Sequence, residues 1–117
     1  MTDALTLNAL AGPLQALRLL ALDFPHLPAP NVDVTPLYPK VLRLSLHETT
    51  CDSFAAFEQW RHALTIETGD VDFHVQINGR TAVLDGHGTY GGMVIELTAF
   101  AAVPSADTAP AVQGVPA

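Results

Sequence analysis

Residues 70–100 read DVDFHVQINGRTAVLDGHGTYGGMVIELTAF, and the way this stretch pairs with itself decides the fold. It holds two short turn signals, Asn78-Gly79 and Gly91-Gly92, between runs of alternating character. Such dipeptides mark two-residue hairpins, because both central positions need positive φ. Taking both as turns sets Val75 opposite Ala82, Phe73 opposite Leu84 and Val71 opposite Gly86. It also sets Gly88 opposite Ile95, Gly86 opposite Leu97 and Leu84 opposite Ala99. A slip of one residue would turn every side chain to the other face. Both turns independently put apolar residues on the same side, which is evidence for a three-stranded meander in this register.

Gly86 and Gly88 then lie on the core side of the middle strand. Glycine weakens a strand, so its presence asks what fills the space. The expected occupant is an aromatic ring from the preceding helix, with Trp60, Phe57 and Phe54 available. A β-bulge or a ligand pocket are the alternatives.

Outward from the meander, TTCDSFAAFEQWRHAL (49–64) is an amphipathic helix capped by Thr50, Asp52 or Ser53. Its apolar face is Phe54, Phe57, Trp60, Ala63 and Leu64, with Glu58, Gln59, Arg61 and His62 mostly off it. KVLRLSLHE (40–48) is a strand, with Leu42, Leu44 and Leu46 pointing one way and Arg43, Ser45 and His47 the other. NVDVTPLYP (31–39) is an edge strand, since Pro36 would leave a ladder bond unmade. Residues 4–23 read as a helix with Leu7, Leu10, Leu14, Leu17 and Ala21 on one face. Pro13 costs little in a first helical turn, so the regular helix should start near it. FPHLPAP (24–30) cannot continue a helix.

The fold class expected is α+β in two layers, in the order α-β-β-α-β-β-β. A five-stranded, mainly antiparallel sheet carries two helices on one face and leaves a polar second face. One domain should span 1–103, with a disordered tail over 104–117 that is rich in small residues and proline.

Composition narrows the function classes. A net charge of −7, with one lysine and four arginines, offers no basic patch for nucleic acid and none for an anionic membrane. The single cysteine, Cys51, allows no disulfide within the chain, which suits a reducing compartment. Without the basic start of a signal peptide, a cytoplasmic location is expected.

The second face of the sheet gathers Asp70, Asp72, His74, Asp85, His87 and Glu96. Asp72 opposite Asp85 is a like-charge pair, unfavourable unless exposed, protonated or bridged by a cation. His74, His87, Asp72 and Asp85 are therefore candidate ligands for zinc or nickel, the metals that suit imidazole with carboxylate. No nucleophile with an oxyanion donor is identifiable, and no phosphate-binding glycine loop is present. The leading expectation is a protein-interaction module that takes no cofactor and binds a protein partner or itself as a homodimer. The alternative is a metal-binding or metal-assisted hydrolytic protein.

VLRLSLHE, SFAAFEQWRHAL and GHGTYGGMVIEL, in that order, resemble small uncharacterised proteins of actinobacteria and their phages. The resemblance spans roughly residues 31–100. It implies the same α+β arrangement, no particular activity and no site residues.

Overall fold

The structure, a computed structural model, describes residues 5–48 and 52–103. Thr50 and Cys51 lie outside the described residues, as does the segment 104–117 that the sequence assigned to a tail. A 3-10 turn at Leu7–Leu10 leads into helix α1, Ala11–Asp23. Strands β1 (Asn31–Asp33) and β2 (Val41–His47) follow, then helix α2 (Ser53–Ala63). A second 3-10 turn, Thr68–Asp70, precedes β3 (Asp72–Val75), β4 (Thr81–Tyr90) and β5 (Met93–Ala102). The five strands form one sheet in the order β1-β2-β5-β4-β3. Three neighbouring pairs are antiparallel, and β2 with β5 is parallel. Among the described residues no helix is long and apolar enough to cross a membrane.

The register of the meander is the one read from the sequence: Phe73 opposes Leu84, Gly86 opposes Leu97 and Gly88 opposes Ile95. The second turn has both glycines at positive φ, 60° and 79°. The first turn differs from expectation. Only Gly79 has positive φ (71°), and Gly79 N–H donates to Gln76 O while Gln76 N–H donates to Thr81 O. The loop therefore holds four residues, Ile77 to Arg80, rather than two. It lengthens by one residue on each side, so every pair below it is unchanged.

Leu42, Leu44 and Leu46 of β2 and Ile95, Leu97 and Ala99 of β5 are buried beneath the helices. From α2 come Ala56, Phe57 and Trp60, followed by Leu64 and Ile66. Ser53, fully buried in the first turn of α2, donates its hydroxyl to Phe100 O at 2.7 Å, and Asp52 caps that turn by accepting from Ala55 N–H. The face of α1 differs from the leucine stripe. Pro13, Ala16 and Leu20 are buried, whereas Leu7 and Leu14 are exposed. The reason is close approach: a Cβ at Gly91 would lie 3.4 Å from Ala16, so a small side chain of the helix sits against the hairpin turn. Tyr90 ties the far end of α1 to β4 by donating its hydroxyl to the Asp23 carboxylate and packing edge-on against Phe24. That hydrogen bond pushes the Tyr90 phenol above its ordinary value of 10.

Of the expected aromatic set Phe57 lies over Gly86, and the rest of the cover over the two glycines of β4 comes from Ile66 and Leu64. A Cβ at Gly86 would meet Phe57 Cζ at 3.5 Å and Ile66 at 3.6 Å; one at Gly88 would meet Ile66 at 3.2 Å and Leu64 at 3.3 Å. Phe57 is the one aromatic ring among these contacts, and Ile66 touches both positions. Trp60 points elsewhere and donates its indole N–H to Pro28 O at 2.8 Å. Ile66 is placed by the end of α2. Thr65 N–H donates to His62 O and Ile66 N–H to Arg61 O, with Thr65 at φ 54°. This is a Schellman closure with threonine in the left-handed position that glycine usually takes. Arg61, expected off the apolar face, is buried because it locks this closure, donating from NH1 to Ile66 O at 2.8 Å. Its Nε and NH2 bind the two carboxylate oxygens of Glu58, each at 2.9 Å.

Candidate functional site

The uncovered face of the sheet is ordered in cross-strand rows. In one row Asp33, Arg43, Glu96 and His87 succeed one another across β1, β2, β5 and β4. Acidic and basic side chains alternate along it. Arg43 Nε donates to Glu96 at 2.9 Å, its NH1 lies 3.9 Å from Asp33, and His87 Nε2 lies 3.8 Å from the other oxygen of Glu96. The Arg43 guanidinium also sits 5.0 Å over the Tyr38 ring. The next row is Asn31, Ser45, Thr98, Asp85 and Asp72. The third is His47, Phe100, Val83 and His74. There His47 stacks on Phe100 at 5.0 Å, and Val83 is buried although it faces outward.

Three of the four candidate metal ligands come together. Asp72, His74 and Asp85 each offer a ligand atom, and these atoms lie within 4.8 Å of one another. His74 Nδ1 is 3.4 Å from Asp72 Oδ2, and Thr98 holds Asp85 by a 2.9 Å hydrogen bond from its hydroxyl. Adjacent strands bring them together: Asp72 directly opposes Asp85, and His74 is two residues along the same face of β3. His87 is not in this group, because it lies in the row of Glu96, on the side of Asp85 away from His74. Asp70, expected beside His87, falls in the 3-10 turn before β3 and outside the ladder. His47 lies two rows from His87.

The helix-side face has a gap at its β3 end. Phe73, Val75 and Ile77 are 58 %, 46 % and 107 % exposed. Among the described residues β3 is also an edge strand of the sheet. The Gln76–Thr81 bond fixes which backbone groups point outward. Residues of an antiparallel strand alternate between facing their partner strand and facing away. Asp72, His74 and Gln76 therefore turn their N–H and C=O towards β4, and Phe73 and Val75 turn theirs away from the sheet. The other edge, β1, is three residues long between Pro30 and Pro36. Short length and proline are the usual protections of an edge strand, and β3 has neither proline nor lysine. Sequence reading singled out the polar residues of β3 and missed its edge. The available signal was the alternation of Val71, Phe73, Val75 and Ile77, apolar on one side over a strand too far from either helix to be covered.

A cleft of about 240 Å³ lies between the end of α1, the Phe24–Pro30 loop and Trp60. Its lining is apolar, with no converging acid, base or nucleophile, so it offers no reaction.

No protein-family model, curated protein or solved structure matches this chain.

Proposed function

We propose that this chain is a protein-interaction module that docks a partner by strand addition along β3. The observation that carries the reading is the bare β3 edge, where Phe73 and Val75 combine outward-facing backbone groups with exposed apolar side chains. In strand addition the main-chain bonds supply affinity and alternate side chains supply selectivity. The test is anisotropy of a labelled seven-residue peptide of alternating threonine and valine. Saturable binding to the native chain and its loss in Val75→Pro support the reading. Proline there removes only an outward N–H and leaves the β4 ladder intact. Absence of saturation up to about 1 mM peptide, a ceiling of about −4 kcal/mol, contradicts it.

A second reading rests on Asp72, His74 and Asp85, whose ligand atoms lie within 4.8 Å of one another. Two carboxylates and an imidazole suit a divalent ion such as zinc, or nickel, with a further position left for water. A cation there would also relieve the repulsion of the opposed aspartates. Calorimetric titration with zinc tests it: one ion per chain, lost in His74→Ala and retained in His87→Ala, supports the site, and equal uptake by all three proteins removes it.

A further inference from the structure

We infer that the strand added to β3 is β3 of a second copy of this chain, paired antiparallel about a two-fold axis through Phe73. This rests on the strand-addition reading above and names its partner.

Backbone geometry restricts the choices. Phe73 and Val75 carry the outward N–H and C=O groups, and Val71 adds only its C=O, because its N–H donates to Thr68 O at 3.2 Å. An antiparallel self-pair must join these odd-numbered residues to one another, so the axis passes through a single residue. Side-chain chemistry then selects among three positions. With the axis at His74, two imidazoles face each other and Asp72 meets only Gln76. With the axis at Val75, Phe73 meets the partner's Ile77, which lies in the four-residue loop beyond the end of the strand. With the axis at Phe73, Val71 opposes the partner's Val75, Phe73 opposes itself, and Asp72 opposes the partner's His74 twice over.

The Asp72–His74 contacts fall at non-hydrogen-bonded pairs, where side chains of opposed strands come closest, with Cα atoms about 4.5 Å apart. Asp72 and His74 already lie 3.4 Å apart within one chain through Nδ1, so Nε2 is the ring nitrogen available to the second carboxylate. Two aspartates and two histidines then alternate around a square at the junction. The same alternation of acid and base orders the Asp33–Arg43–Glu96–His87 row. The apolar row of one chain continues into that of the other on the opposite face.

This pairing also closes the assembly. Each chain ends in one β3 edge and one β1 edge. Joining the two β3 edges gives a ten-stranded sheet whose remaining edges are both β1, short and flanked by Pro30 and Pro36. Growth stops at two chains, as an isologous contact requires.

The test uses the full chain in native mass spectrometry, together with single-cysteine variants on a Cys51→Ser background. The expected result is a dimer that dissociates on dilution and is about tenfold weaker in Asp72→Lys, which removes the carboxylate that faces the partner's His74 and puts a longer side chain in its place. Phe73→Cys should form an interchain disulfide faster than His74→Cys, since only the first residue sits on the axis. Faster cross-linking at His74 overturns the register. A monomer at every concentration that still binds the threonine–valine peptide overturns self-pairing and leaves strand addition standing. A monomer that binds no peptide overturns both.

Discussion

Thr65 shows how a single residue sets the middle of the core. At φ 54° it occupies a conformation that costs a β-branched side chain about 1–2 kcal/mol. The strain is held because the turn delivers Ile66 onto Gly86 and Gly88. Thr65→Gly should therefore raise stability by about 0.5–1 kcal/mol in urea unfolding, after allowing for the extra freedom glycine gives the unfolded chain. A loss of stability would mean that the Thr65 hydroxyl, which donates to Leu64 O at 2.6 Å, outweighs the strain. This turn was illegible in the sequence because a glycine marks such a closure, and the nearest one, Gly69, sits four residues too late. Arg61 was misplaced for the same reason: its burial depends on a carbonyl that only the closure presents. Its fork on Glu58 holds that carboxyl below its ordinary 4.5. A depressed value means stabilisation that is present above pH 4.5 and lost as pH falls through the folded value. Glu58→Gln should remove this acid-dependent increment, which for a half-exposed pair is about 0.2–1 kcal/mol. Stability profiles that stay parallel below pH 5 would contradict the assignment.

At the scale of elements, β4 is built to be approached closely. Its two glycines are unequal. An alanine at Gly86 would make ordinary contacts of 3.5 Å or more with Phe57 and Ile66. At Gly88 it would press on Leu64 Cβ at 3.3 Å and Ile66 at 3.2 Å, and neither can retreat, because one is the helix cap and the other is pinned by the Schellman bonds. Gly88→Ala should destabilise by about 1 kcal/mol or more, with Gly86→Ala near neutral, read as a difference in thermal midpoint. Equal effects would show that the loop after α2 yields. The register around these glycines was legible because two turns constrained it together, and it survived the longer Gln76–Thr81 loop. The face of α1 was not, because the sequence reading weighted the large leucines. Close packing against Gly91 instead selects Ala16.

At the scale of the whole molecule, the strand order places β5 between β2 and β4, with β2 and β5 parallel. The sequence left the order open, although MVIELTAF carries a single charge, Glu96, as befits a strand with neighbours on both sides. Three of the four proposed ligands were legible as a face, since period-two alternation and the hairpin register fix which residues share it. The bare β3 edge was not, because exposure there depends on where the helices stop. The sheet is thus protected at β1, covered over β2, β5 and much of β4, and open at β3.

The claim that this open edge is where the protein binds is tested most directly by amide hydrogen exchange at single-residue resolution, as protein concentration is raised from micromolar to millimolar. The account predicts that Asp72, His74 and Gln76 are protected throughout, and that Phe73 and Val75 gain protection as concentration rises. Phe73 and Val75 amides that exchange as freely at high concentration as at low would contradict it.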